Sequence, residues 1–307
     1  MLKRHYMISL IVVISTLFIV SGCSSRSAVK DGNNGKLQIV TTFYPMYEFT
    51  KNIAKDKANV ELLIPSNIEP HDWEPSPKDV GRIQNADLFV YNSQYFETWV
   101  PAIQKSVGNE KLSFVEASSK IHLAGNSSDN HHENVDPHVW LSPVLAQKEV
   151  KAITSAIIKA DPKNKEYYQK NSDQYIEKLS KLDRDYRTAL KDAKKKEIIT
   201  QHSAFGYLTK EYGLKQVPIA GLSPSQEPSP SKLSELKQFA EEHQVKIIYF
   251  EELTSPKVAE TLANEIGAKT EVLSTLEGLS KEEQEKGSNY ITVMQKNLDA
   301  IKKSVID

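Results

Sequence analysis

The stretch from Pro162 to Lys194 constrains the fold more than any other part of the chain. Tyr175, Leu179, Leu182, Tyr186 and Leu190 recur at spacings of four, three, four and four, and the residues among them are mostly charged (EKLSKLDRDYR). That period lays one narrow apolar stripe along a solvated helix. Asp161-Pro162 supplies a cap for its start. A helix of about 30 residues is about 45 Å long at about 1.5 Å per residue, too long for a crossover inside one small sheet. The spacing therefore predicts a rigid backbone helix over 162–194 joining two lobes.

Short β-rich apolar runs alternate with helical patterns on both sides of that helix. Leu37–Phe43, Val60–Pro65, Leu88–Tyr91 and Leu112–Glu116 precede it; Glu197–Gln201, Gln216–Ile219, Ile247–Phe250 and Thr270–Leu273 follow. Such alternation predicts parallel sheets built from βαβ units, with an N-terminal α/β lobe over 37–161 and a C-terminal one over 195–307. Ser76-Pro77, Ser142-Pro143, Ser229-Pro230 and Ser255-Pro256 each open a helical pattern. A serine N-cap accepts orphan amide hydrogens, and a proline at the first helical position has none to lose. After Ser255-Pro256, Val258, Leu262 and Ile266 keep one face apolar and Gly267 offers a stop.

The N-terminus carries a different signal. Lys3 and Arg4 precede the apolar run Ile8–Val20, and Val20-Ser21-Gly22-Cys23 follows. A basic start, a short apolar core and small residues describe a secretory leader over 1–22; the run is shorter than the roughly 18–20 residues that span a bilayer comfortably. Cys23 is the chain's one cysteine, so no intramolecular disulfide is open to it. VSGC resembles the bacterial lipobox, in which the cysteine is diacylated and becomes the new N-terminus, a stable membrane anchor. The polar, glycine-containing residues 23–36 then form a lipidated flexible tether. The 39 basic and 40 acidic residues of the 307-residue chain give a net charge of −1. That balance points away from a nucleic-acid partner.

Past the leader, the histidines are His71, His122, His131, His132, His138, His202 and His243. Three share a setting. His71 lies in IEPHDWEPSP after the second strand, His138 in DPHVWLSP just before a Ser-Pro start, and His202 directly after the strand EIITQ. Open α/β sheets bind ligands at the carboxyl ends of strands, and neighbouring prolines stiffen these loops. Neutral imidazole is a common ligand for zinc and other borderline metals. Each one alone also fits a hydrogen-bonded structural histidine; the shared setting favours a site. His122 and His243 lack that setting and read as surface or helix-end residues.

These segments resemble the metal-binding lipoproteins of zinc and manganese ABC uptake systems, cluster A-I. The resemblance is carried by EPHDWEPSPKD, DPHVWLSP and TQHSAFGYLTKEYGL, then IIYFEELTSPKVAETLANEIG, LEGLSKEE and YITVMQKNL. It implies two Rossmann-like α/β lobes joined by a rigid helix, with one metal in the inter-lobe cleft on His71, His138 and His202. In that family the third position is histidine in zinc binders and glutamate in manganese binders, so His202 points to Zn2+ over Mn2+. Three imidazoles and one oxygen also suit tetrahedral zinc better than manganese. The resemblance places the fourth ligand at Glu277; a carboxylate beside the first histidine is the other arrangement, and here that place holds Pro70, leaving Asp72. NSSDNHHENVDPH resembles a short histidine-rich loop, with His131 and His132 as an accessory metal site or simply a solvated loop.

The implied role is a monomeric extracytoplasmic binding protein that passes the ion to an ABC permease and its ATPase, with no catalysis. A zinc-dependent hydrolase is the competitor from another class, since three protein ligands plus water is also a catalytic set. The chain has no HExxH pattern; Glu74 and Glu251 are the acids a base role would fall to. A surface adhesin is a third possibility, for which no sequence feature speaks.

Overall fold

Strand residues alternate between two apolar layers, and that alternation stacks the molecule. The computed structural model describes residues 35–125, 135–226 and 228–306. The leader, Cys23, most of the tether and the loop histidines His131 and His132 lie outside the described residues. β1 (Leu37–Thr41), β2 (Ala58–Leu62), β3 (Leu88–Tyr91) and β4 (Ser113–Glu116) form a parallel sheet ordered β2-β1-β3-β4. β5 (Glu197–Thr200), β6 (Lys215–Pro218), β7 (Ile247–Phe250) and β8 (Lys269–Val272) form a second, ordered β6-β5-β7-β8. Each expected run overlaps a strand, with β2, β6 and β8 beginning one or two residues earlier than expected, and the two lobes repeat one topology.

Successive strand side chains point to opposite faces. Ile39, Leu88, Val90, Ile198, Ile247 and Tyr249 enter a core shared by both sheets. Val40, Phe89 and Tyr91 pack on the outer face of the first sheet, and Ile199 and Ile248 on that of the second. Helices α1 (Tyr44–Ala54), α2 (Pro77–Gln84), α3 (Val100–Ser106) and α4 (Pro143–Ala160) belong to the first lobe.

The linking helix opens with a single 3-10 turn, Pro162–Asn164, and continues as α5, Lys165–Leu190. At 26 residues it is about 39 Å long. It stops short of Lys194 because the Lys194 and Lys195 amides donate to the Val305 carbonyl instead. The expected stripe is buried, and Tyr168 extends it. Asn171 and Ser172 are also buried there, bonded to the Ile53 carbonyl and Thr154. After it come α6 (Gly206–Glu211), α7 (Pro230–Glu242), α8 (Lys257–Ile266), α9 (Lys281–Glu285) and α10 (Tyr290–Val305). α5 packs on α1 and α4 from the first lobe and on α10, where Tyr186 donates to the Met294 carbonyl at 2.7 Å. α10 in turn crosses between lobes: Tyr249 donates to its Ala300 carbonyl, while its Tyr290 packs on Phe49 and donates to the Trp140 carbonyl.

Ser76, Ser142 and Ser229 cap α2, α4 and α7 as expected, with Ser76 and Asp79 forming a reciprocal capping box. The fourth Ser-Pro departs from the expectation. Pro256 itself is the N-cap of α8, and Ser255 contributes no cap. The Ser255 carbonyl accepts from the Gln201 side chain at 3.0 Å, which holds this turn against the end of β5. Gly267 ends α8 in the left-handed region, φ 71°.

Candidate metal centre

The sheet order reverses between β5 and β7, and ligand crevices in open α/β sheets lie at such switch points. His202 stands two residues past β5, and Glu251 directly follows β7. His71 lies in the β2–α2 connection and Glu277 in the β8–α9 connection. His138 caps a 3-10 turn, Val139–Leu141, that leads straight into α4. Four separate chain segments, two from each lobe, thus deliver four side chains to one point.

The convergence is tight. His138 Nε2 lies 3.2 Å from His71 Nε2 and 3.3 Å from His202 Nε2. Glu277 Oε1 lies 3.5, 3.7 and 3.8 Å from the Nε2 atoms of His71, His138 and His202. Ligands about 2.0–2.2 Å from a tetrahedral zinc stand about 3.3–3.6 Å apart. Five edges of a slightly loose tetrahedron are therefore in place, and the four residues form a possible metal site. His138, His202 and Glu277 are buried; His71 alone is partly open, with 9% of its side chain exposed. A cavity of about 140 Å³ leads to His71, lined also by Tyr95, Thr98, Pro137, Leu222 and Gln226.

The groups behind the histidines fix which nitrogen faces the centre. His138 Nδ1 donates to Asp136 Oδ1 at 2.8 Å, and the His138 amide donates to the same oxygen at 3.0 Å. His202 Nδ1 donates to Glu251 Oε2 at 2.6 Å. With both Nδ1 atoms used as donors, the Nε2 lone pairs point inward, the arrangement by which carboxylates orient metal-binding imidazoles. The His138 segment is anchored further back. Asn92 Nδ2 donates to the Pro137 carbonyl at 2.8 Å, and the buried Glu97 carboxylate accepts from the Asn92 and Ser93 amides and from Thr42.

Burial, then the neighbouring His202, pushes His71 down to about 4. The same two causes, with His71 added, hold His138 well below the ordinary histidine value. Both rings are neutral at physiological pH, as ligation requires. His202 behaves oppositely. Burial disfavours its charge, yet Glu251, Glu277 and Glu69 together raise it to about 9. Burial lifts Glu277 and Glu69 to about 7. Glu277 Oε1 is buried without a hydrogen-bond partner, an expensive condition for a carboxylate oxygen. The inward lone pairs of His138 and His202 and the unpartnered Glu277 oxygen repel one another unless a cation sits among them; the His202 proton is the smallest such cation.

Of the remaining sequence candidates, His243 is the C-cap of α7, stacked on Phe239, and His122 is exposed. Asp72 and Glu74 are exposed, while Glu251 is engaged behind His202. Sequence reasoning passed over Asp136, Asn92 and Glu69. Asp136 carried a usable signal, since a carboxylate two residues before a histidine in DPH is placed to reach both its amide and its ring. Glu69 repeats that spacing before His71, and its Oε1 accepts the His71 amide at 3.1 Å.

The chain matches the family described as ZnuA, zinc-uptake complex component A periplasmic, over residues 39–304. It is 62% identical over 309 residues to the high-affinity zinc uptake system protein ZnuA of Bacillus subtilis (strain 168), covering 97% of each chain. It is 46% identical over 305 residues to the zinc-binding lipoprotein AdcA of Streptococcus pneumoniae, covering 96% of this chain but only 60% of AdcA. Among solved structures, the metal-dependent lipoprotein YcdH from B. subtilis matches with a TM-score of 0.79 at 66% identity, over 89% of this chain and all of that one. Zn(II)-bound AdcA from S. pneumoniae also matches at 0.79, with 48% identity over 89% of this chain and 58% of that one. The chain belongs to the ZnuA family of zinc-uptake complex components.

Proposed function

We propose that this protein captures zinc outside the cytoplasm on His71, His138, His202 and Glu277 and delivers it to an ABC permease powered by its ATPase. The observation that supports this reading is the convergence of three Nε2 atoms and Glu277 Oε1 at spacings of 3.2–3.8 Å, from four segments and both lobes. One carboxylate and three imidazoles favour zinc over manganese, which prefers more oxygen ligands. The ion enters past His71, sheds its water and exchanges it for fixed ligands; zinc is cargo here and undergoes no chemistry. With the fourth position taken by Glu277 and Glu251 engaged with His202, the site is built for holding an ion and not for activating water. Cys23, lipidated after removal of residues 1–22, tethers the monomer to the membrane, and His131 and His132 offer a weaker accessory site.

Metal analysis of the purified protein, with zinc uptake in a strain lacking it, tests the reading. One zinc per chain and loss of uptake at low external zinc are expected. Metal-free protein with normal uptake, or manganese bound in preference, would overturn it.

A further inference from the structure

The segment carrying Glu277 is gripped by the segments that carry His71 and His138 and by the one that carries Glu251 behind His202. Trp140, two residues after His138, donates its indole N–H to the carbonyl of Thr275, two residues before Glu277, at 2.8 Å. Gly278 is pressed against the His71 connection so closely that a Cβ there would sit 2.1 Å from the Ser66 carbonyl oxygen. The same Cβ would meet Leu253, in the segment that begins with Glu251 behind His202, at 3.2 Å. No side chain larger than hydrogen fits without moving backbone.

Between these grips the backbone is strained. Leu276, buried, adopts φ 57°, the left-handed region that leucine avoids. Such conformations persist only where the surroundings hold them. Here the Leu276 amide donates to Ser274 Oγ at 3.2 Å, and Asn297 of α10 pairs with both the amide and the carbonyl of Ser274.

Resting on the zinc-site reading above, we propose that Trp140 and Gly278 are positioning residues that hold the strained Glu277 loop as a clasp over the three imidazoles and thereby set how fast the ion leaves. Freed from Trp140, Leu276 relaxes and carries the carboxylate off, leaving three neutral imidazoles and an opened side. A docking permease needs to loosen this one loop and can leave the histidine scaffold intact.

The test is zinc release into excess chelator, followed by stopped flow for wild type, Trp140→Phe, Gly278→Ala, Glu277→Ala and each double variant with Glu277→Ala. A net hydrogen bond's contribution corresponds to release about fivefold faster in Trp140→Phe. In the Glu277→Ala background the same substitution should change the rate by less than about twofold, because the clasp then has no ligand to hold. Gly278→Ala, which forces the loop away from the Ser66 carbonyl but keeps the buried Trp140 ring, should follow the same pattern and carries the test if Trp140→Phe does not fold. In metal-free protein, amide exchange at Leu276 and Glu277 should quicken in Trp140→Phe while β5 stays protected. Equal acceleration in both backgrounds, or no acceleration, overturns the positioning role alone. Release from Glu277→Ala at the wild-type rate overturns Glu277 as a ligand, and the clasp with it.

Discussion

His202 and Glu251 sit at the ends of adjacent strands with His202 Nδ1 and Glu251 Oε2 2.6 Å apart, and this contact decides which nitrogen of His202 faces the centre. The carboxylate also accepts the His202 amide at 3.2 Å, so ring and backbone are held together. Carboxylates in this position typically contribute 10- to 100-fold to metal affinity, by about one to two powers of ten. Glu251→Gln should lower zinc affinity by about that factor while the protein remains folded, as read by competition with a chromophoric chelator. An unchanged affinity would mean that Glu251 only braces the loop.

Zinc affinity should fall on acidification, and the residue responsible is His202. His71, at about 4, and His138, held well below the ordinary histidine value by burial, do not compete with the ion for a proton at pH 7. His202, at about 9, must surrender one, and below about 7 Glu277 surrenders another. Calorimetric titration in buffers of different ionisation enthalpy should show about one proton released per zinc at pH 8, and more near pH 6.

The metal-free protein should become less stable as pH rises. Burial raises Glu69, Asp136, Glu97 and Glu277 to about 7 in the folded state, against about 4 in an unfolded chain. Groups raised in this way favour the fold below their unfolded pKa, and that contribution is lost as pH rises through about 7. His202, raised to about 9 from about 6.5, adds in the same direction up to pH 9. Zinc neutralises much of this cost, so the rise in Tm on adding zinc should be larger at pH 8 than at pH 5. Differential scanning calorimetry at the two values checks the sign.

Glu149, which is not one of the four site residues, makes a separate test. It is fully buried in α4, neither carboxylate oxygen has a hydrogen-bond partner, and burial followed by Glu97 holds it well above the ordinary range. An unpartnered buried polar group costs about 1–3 kcal/mol. Glu149→Met, similar in volume and a good helix former, should raise Tm, and by more at pH 8 than at pH 5. A lower Tm at both values would show that Glu149 has a partner essential to the core.

Much of this was legible in the sequence because the carriers are local. Strand positions followed from short apolar runs such as Ile247–Phe250, and helix starts from serine caps such as Ser142. His71, His138 and His202 stood out because each sits where a β run ends or a capped helix begins. The roles that the sequence does not show, such as that of Glu251 behind His202, depend on contacts between distant segments. Glu251 lies 49 residues from His202 and Thr275 lies 135 from Trp140, and only the packing of two lobes brings them together. The end of α5 at Leu190 is hidden for the same reason: Lys194 has helix-compatible neighbours, but Val305 takes its amide. At Ser255-Pro256 the local pattern does not place the cap, and the Ser255 carbonyl is held by Gln201.

The most direct test of the zinc site is X-ray absorption at the zinc edge on the loaded wild-type protein and on Glu277→Ala. Wild type should give four light ligands at about 2.0–2.1 Å with the scattering pattern of three imidazoles. Glu277→Ala should keep the three imidazoles and exchange the carboxylate for water. A wild-type shell with fewer than three imidazoles, or a Glu277→Ala protein that holds zinc as tightly as wild type, would contradict the assignment of His71, His138, His202 and Glu277.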